Sequence, residues 1–316
     1  MQKLIATETG NIAVTVQGDG PVILCVHGWP DHSSSWRHQL NHFSNRGYRI
    51  AAMDVRGYGD SAKPHEIAAY SLKNLASDVA AVAAALSDEP VILFGHDWGA
   101  PITYTTALMH PERIRAVAGL SVPYTPGGDV SLIDLMRQVY AGRFFYMLYF
   151  QAEGVVEAEM AIDPRSALRK IYYAISGDAP ANGGFANKAE GEGLLDGLID
   201  PDPFPDWLSE DDLDTYVAAF EKGGFRGAFN RYRALDLDHQ ELAAYRGRRL
   251  HLPTCFIGGE RDPVRHFVPG FDAFEHAGMG CDDFRGLTIV PDVGHWVQQE
   301  APAATNAALA EFLDSL

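Results

Sequence analysis

The sequence predicts an α/β fold: a mostly parallel central sheet flanked by helices and interrupted once by a long helical insertion. Three observations predict it. Short apolar runs alternate with helix-patterned segments over the first 122 residues; residues 125 to about 245 then read as mainly helical; and strand–helix alternation resumes near residue 254. An insertion that interrupts an alternating pattern and leaves it to be completed afterwards implies one sheet built from both ends of the chain.

Taken in order, residues 12–16, 22–26, 49–53, 91–94 and 116–120 are strands rich in branched and other apolar side chains. The middle ones are apolar on both faces, as strands of a covered parallel sheet are. Residues 71–86 place Leu72, Leu75, Ala76, Val79, Val82, Ala83 and Leu86 at helical spacing, with Ser71 as N-cap and Pro90 beyond the end. Within the insertion, residues 176–205 are dense in Gly, Pro, Asp and Asn. Such a stretch is expected to be a long loop that shapes the entrance to a site. Residues 254–257 and 287–290 are the last strands, with a helix expected within 266–276 and a closing helix from about 305 to 313.

The bulk properties exclude several classes. The 316 residues include 25 Lys and Arg against 42 Asp and Glu, a net charge of −17, so a nucleic-acid or anionic-membrane partner is not expected. The N-terminus has no long apolar stretch, and the nearest approach to a spanning segment, 132–150, is broken by Asp134, Arg137, Gly142 and Arg143. Three cysteines at these spacings suit neither a disulfide framework nor a metal site. Cys25 and Cys255 fall in strands and Cys281 in a polar loop, a pattern that suggests a reducing, cytoplasmic setting.

The most informative stretch is Gly95-His96-Asp97-Trp98-Gly99, an apolar strand running into Gly-x-Asp-x-Gly with a helix behind it. Gly-x-Ser-x-Gly at such a place is the nucleophile elbow of hydrolases, a strained turn that lifts the central side chain above the sheet edge. With aspartate at the centre the nucleophile is a carboxylate, ionised at neutral pH without a base, and its attack on a tetrahedral carbon leaves an alkyl ester. Capping of the next helix is the alternative role for Asp97. After strand 22–26 comes His27-Gly28-Trp29-Pro30, where this fold sets a second oxyanion donor. The hole would be the backbone N–H groups of Trp29 and Trp98. The turn from Asp54 to Ser61 is expected to be structural.

The chain order nucleophile, acid, histidine directs attention to the two last strands. His295 follows 287–290 in Pro291-Asp292-Val293-Gly294-His295 and is the expected base, with His27, His96 and His266 as competitors among 12 histidines. Gly258-Gly259-Glu260-Arg261-Asp262 follows 254–257, and Asp262 is the expected orienting acid, with Glu260 as alternative.

With these positions placed, the chain resembles the soluble epoxide hydrolases of the α/β-hydrolase fold from about residue 3 to the end. His27-Gly28-Trp29-Pro30 and Gly95-His96-Asp97-Trp98-Gly99 carry the resemblance, supported by Phe145-Tyr146-Met147-Leu148-Tyr149-Phe150 and Gly224-Phe225-Arg226 through Arg231-Tyr232-Arg233. It implies a core of residues 1–124 and 246–316 with a helical cap, 125–245, inserted after the sixth strand. It also implies that Tyr146 and Tyr232 bind the epoxide oxygen, although Tyr149 and Tyr140 compete with Tyr146 on spacing alone. Trp98 and Phe150 would be pocket walls, and the peptide before Pro30 would be cis. The substrates are then a small epoxide and water, with no cofactor or metal, and the chain acts as a monomer or homodimer. A haloalkane dehalogenase shares the aspartate elbow but needs halide donors that paired tyrosines do not replace. A fluoroacetate dehalogenase would carry arginine after the nucleophile, and an esterase a serine at the elbow. A non-catalytic binding protein on the same scaffold would have no use for all five functional side chains.

Overall fold

A computed structural model describes residues 1–180, 184–185 and 188–316. Eight strands form one sheet: β1 (Gln2–Thr7), β2 (Gly10–Gln17), β3 (Val22–Val26), β4 (Arg49–Met53), β5 (Val91–His96), β6 (Ile114–Leu120), β7 (Leu250–Gly259) and β8 (Cys281–Val290). Their order is β1-β2-β4-β3-β5-β6-β7-β8. β1 and β2 pair antiparallel at one edge, and β3 to β8 run parallel. Helices α1 (Arg37–Ser44), α2 (Leu72–Leu86) and α3 (Gly99–Met109) cross between strands. Between β6 and β7 lie α4 (Leu132–Val139), α5 (Tyr146–Tyr149), α6 (Val155–Ala161), α7 (Pro164–Ala174), α8 (Glu210–Gly223), α9 (Arg226–Arg233) and α10 (Leu235–Glu241). The chain closes with α11 (Val297–Glu300) and α12 (Pro302–Asp314).

The period-2 alternation of each central strand divides the core. Val22, Leu24 and Val26 face α2, α3 and the helices inserted between β6 and β7, whereas Ile23 and Cys25 face Leu40 and Phe43 of α1 and Leu309, Phe312 and Leu313 of α12. Burial of both faces explains why these strands read as continuous apolar runs. Ser71 caps α2 as expected, its hydroxyl accepting from Asn74 N. At the sheet edge, Thr7 and Thr9 hydroxyls and the Arg56 guanidinium converge on Asp78 of α2, which ties the β1–β2 hairpin to the helix layer.

Several expectations need correction. Residues 266–276 contain no α-helix: a 3-10 turn ends at His266, and Asp272 then accepts from Phe274 N and Glu275 N in successive tight turns. Pro269 and Gly270 explain the break, since the first removes a helical donor and the second has a left-handed φ of 78°. Cys281 is buried at the start of β8, not in a loop. β1 adds an edge strand that the apolar pattern does not reveal. The stretch 176–205 has no helix among its described residues; 181–183 and 186–187 lie outside them. Among the described residues, no helix is long and apolar enough to cross a membrane.

Arg56 and Asp78 are both buried and bonded through two nitrogens. Replacing Asp78 by alanine leaves a buried guanidinium unpaired, and the expected loss is about 3–5 kcal/mol of unfolding free energy, read from the urea midpoint at unchanged slope.

Candidate active site

The ends of the parallel strands converge on one point. Trp29 follows β3, Asp97 follows β5, Asp262 follows β7 and His295 follows β8, all at carboxyl ends, where open α/β sheets form their binding crevices. Asp97 sits at φ 51°, a left-handed conformation uncommon for a side-chain-bearing residue, between the end of β5 and the N-terminus of α3. The turn is tight enough that only hydrogen fits beside it. A methyl group at Gly28 would overlap the Asp97 carboxylate, and one at Gly99 would overlap the Val26 carbonyl. The α3 N-terminus favours negative charge at this place.

Asp97 Oδ1 accepts a 2.7 Å hydrogen bond from Trp29 N–H, and Trp98 N–H borders the same space above Gly28. Asp97 Oδ2 lies 3.4 Å from His295 Nε2. The other ring nitrogen, Nδ1, is 3.0 Å from Asp262 Oδ2, while Asp262 Oδ1 accepts from Val264 N at 2.9 Å. Burial works against a charged His295, but the two carboxylates, Asp262 first and then Asp97, outweigh it and raise the imidazole to about 10. Glu260 is out of reach: it is exposed and accepts from Asp292 N.

The competing histidines have other partners. His27 is buried; its Nδ1 donates to Gly28 O and its Nε2 accepts from Val55 N. That pattern is the neutral ring, and burial lowers it to about 4. His96 donates from Nε2 to the His295 carbonyl at 2.8 Å and turns Nδ1 to Asp31, 3.3 Å away. Asp31 also accepts from Tyr172 Oη and Gln299 Nε2, and the Ser121 hydroxyl donates to the same His295 carbonyl. His266 is exposed. The Asp31–His96 pair was not singled out from sequence as a support, although Asp31 directly follows the Gly-Trp-Pro turn. The Trp29–Pro30 peptide is cis.

A cavity of about 600 Å³ opens over Asp97, lined by Asp97, Trp98, Tyr146, Met147, Leu235 and Phe267 among others. Tyr146, on α5, meets Tyr232, on α9, edge to face with ring centres 5.9 Å apart. Burial first, and the Asp97 charge next, hold both phenols well above their ordinary range, so both remain donors at neutral pH. The rival tyrosines are committed elsewhere: Tyr149 donates to Glu159 and Tyr140 to the Phe267 carbonyl. Among the described residues neither the Tyr146 nor the Tyr232 hydroxyl has a hydrogen-bonded acceptor. The buried Arg231 guanidinium lies 4.8 Å from the Trp98 ring centre and pairs with Asp238, a support that sequence reading missed.

One expectation fails here. Phe150 is fully buried behind the tyrosines, packed on Trp29, Tyr232 and Phe229, and is not a cavity wall. Of the stretch 176–205, Phe185 packs against Tyr146 with ring centres 5.9 Å apart, residues 181–183 and 186–187 lie outside those described, and the exposed side chains Val130, Leu132, Leu135 and Phe271 line the mouth. Phe150, the C-cap of α5, shares the face of Tyr146 one turn on, but there its ring is enclosed by Trp29, Phe229 and Tyr232, which fill the space a ligand would need.

A family model described as alpha/beta hydrolase fold matches residues 21–302. The chain is 34% identical over 318 residues to Epoxide hydrolase A of Mycobacterium tuberculosis, covering 100% of this chain and 98% of that one. It is 36% identical over 301 residues to Epoxide hydrolase 3 of Siraitia grosvenorii, covering 94% and 93%. Among solved structures, an epoxide hydrolase from an endophytic Streptomyces superposes with a TM-score of 0.93 at 39% identity, covering 99% and 95%. Epoxide Hydrolase A from Mycobacterium thermoresistibile gives 0.92 at 34% identity, covering 99% and 98%.

An imidazole raised from 6.5 to about 10 contributes stability that is fully present below 6.5 and lost as pH rises through 10. NMR titration of His295 is expected to place its transition near 10, and Asp262→Asn to lower it. A wild-type transition near 6.5 would contradict the pairing.

Proposed function

The chain belongs to the α/β-hydrolase fold family and, within it, to the epoxide hydrolases, and we propose that it opens an epoxide to a vicinal diol in two steps through an alkyl ester on Asp97. The observation that carries this reading is the division of labour around one carboxylate: Oδ1 is bound by Trp29 N–H while Oδ2 faces His295 and the cavity.

In the first step Oδ2 attacks a ring carbon and the carbon–oxygen bond of the epoxide breaks, its electron pair passing to the ring oxygen. Tyr146 and Tyr232 bind that oxygen, and one phenol gives it a proton. The resulting phenolate recovers its proton from the imidazolium of His295. Ester formation makes that transfer favourable, because it removes the Asp97 charge that helped to hold the imidazole protonated. The ring is then neutral and ready to act as a base.

In the second step His295, oriented by Asp262, takes a proton from water as the water oxygen attacks the ester carbonyl carbon. Negative charge builds on Oδ1, where the Trp29 and Trp98 N–H groups stabilise it. Collapse breaks the bond from the carbonyl carbon to Oδ2. The diol leaves as an alkoxide that takes the proton of the new carboxylic acid, which restores Asp97 as a carboxylate and His295 as a cation.

The same reading treats residues 1–124 and 246–316 as the catalytic core and 125–245 as a cap that carries the two phenols over it. It puts the enzyme in the cytoplasm, which three free, buried thiols support.

Asp97→Asn is expected to abolish diol formation with circular dichroism unchanged. His295→Gln should form the ester and accumulate it, visible as a mass increase equal to the epoxide. Replacing both Tyr146 and Tyr232 by phenylalanine should slow ring opening by about 10²–10⁴-fold. A double variant with wild-type single-turnover rate would remove the phenols from the mechanism.

A further inference from the structure

The loop that carries His295 is joined to the end of α7 through backbone contacts. His295 N–H donates to the Ile175 carbonyl at 2.9 Å. Gly177 packs so closely on Asp292 and Val293, and Gly294 on Ser176 and Gly177, that a methyl group at either glycine would overlap backbone. Arg261, one residue before Asp262, bonds both sides: its N–H donates to Val293 O and its Nη1 to Gly177 O. At the centre is the side chain of Glu300, at the end of α11. Its Oε2 accepts from Gly177 N at 2.7 Å and Gly294 N at 3.0 Å, and its Oε1 from Trp296 N at 2.9 Å.

We propose that Glu300 is a positioning residue for His295: by accepting from the amides on both sides of the histidine and from Gly177, it holds the imidazole at the distance from the Asp97 ester that water activation requires. The inference rests on the reading of His295 as the base for ester hydrolysis. Glu300 touches no reacting atom, so its effect reaches the chemistry only through the histidine. The bond-making event of ester formation asks only that the Asp97 carboxylate and the two phenols meet the epoxide, the proton return from His295 to the phenolate coming after it, and none of these three groups is bonded to Glu300. Hydrolysis asks that a water molecule be deprotonated at one place above the carbonyl carbon. A misplaced base therefore slows the second step and spares the first. Burial, aided by Asp178, lifts the Glu300 carboxyl to about 7 against the pull of the three amides, so the comparison is made above that pH, with the carboxylate formed.

The amide of Glu300→Gln keeps the shape but turns an NH₂ group toward at least one of the three N–H donors. In rapid-quench single turnovers with styrene oxide, the variant is expected to form the ester within about twofold of the wild-type rate. Hydrolysis of that ester is expected to be ~10–100-fold slower, the scale of a displaced catalytic group. Equal slowing of both steps, or of neither, overturns the proposal. His295→Gln run in parallel separates the two ideas: failure of that variant to accumulate ester defeats the underlying reading, whereas ester in His295→Gln but not in Glu300→Gln defeats only the role of Glu300. If the glutamine variant does not fold, hydrogen exchange of the wild-type enzyme decides. The amides of Gly177, Gly294 and Trp296 are expected to exchange together and slowly, and rapid independent exchange would contradict the proposal.

Discussion

The hydrogen bond from Trp29 N–H to Asp97 Oδ1 is the contact on which the site depends, and it exists because two strand ends come closer than side chains ordinarily allow. Gly28 supplies the missing Cβ on one side and Gly99 on the other, while Asp97 accepts a left-handed φ. Strain of this kind costs on the order of 1–3 kcal/mol and persists only where the surroundings over-determine it. Here they do. β3 and β5 are neighbours in the sheet, α3 is packed on both, and the neutral His27 ring pins the Gly28 carbonyl to the β4 side through Val55. The carboxylate is thereby fixed, with one oxygen spoken for and the other free to react.

Electrostatics bear on the proposed order of events. His295 has a carboxylate at each nitrogen, and burial alone would keep it neutral. In the proposed mechanism, esterification of Asp97 removes one of the two anionic neighbours that hold the ring as a cation. The proposed mechanism thus needs no separate switch to turn the imidazole from an acid into a base. The polar network beneath serves the geometry of the same ring: His96 and Ser121 both donate to its carbonyl, and Asp31 gathers His96, Tyr172 and Gln299. These groups lie under the sheet ends rather than in the cavity.

The parts of the molecule that were legible in the sequence are those whose physics is local. The central strands announce themselves because both faces are buried, and the elbow because close approach demands glycine at fixed places around residue 97. The positions of His295 and Asp262 could be read from strand order, since a residue just past a parallel strand must emerge at the crevice. β1 was not legible: an edge strand exposed along most of its length has no apolar alternation to display. Within 266–276, where a helix is expected, Phe267, Phe271 and Phe274 instead pack on Phe145, His276 and Phe256 from turns in which Asp272 accepts backbone N–H groups. Phe150, the mouth of the cavity, and the supports built from Asp31, Arg231 and Glu300 depend on contacts across long sequence separations. No local pattern encodes them. Between Tyr140, Tyr146 and Tyr149, too, only tertiary structure discriminates, by giving the first and last an acceptor.

The measurement that tests the account most directly is a single turnover of styrene oxide in ¹⁸O-water with enzyme in excess, followed by digestion and weighing of the peptide that contains Asp97. A covalent aspartyl ester hydrolysed at its carbonyl carbon leaves the water oxygen on the protein, so the account predicts one heavy oxygen in Asp97 and an unlabelled diol. A labelled diol with unlabelled Asp97 would mean that water attacks the epoxide itself, and would contradict the central role given to that carboxylate.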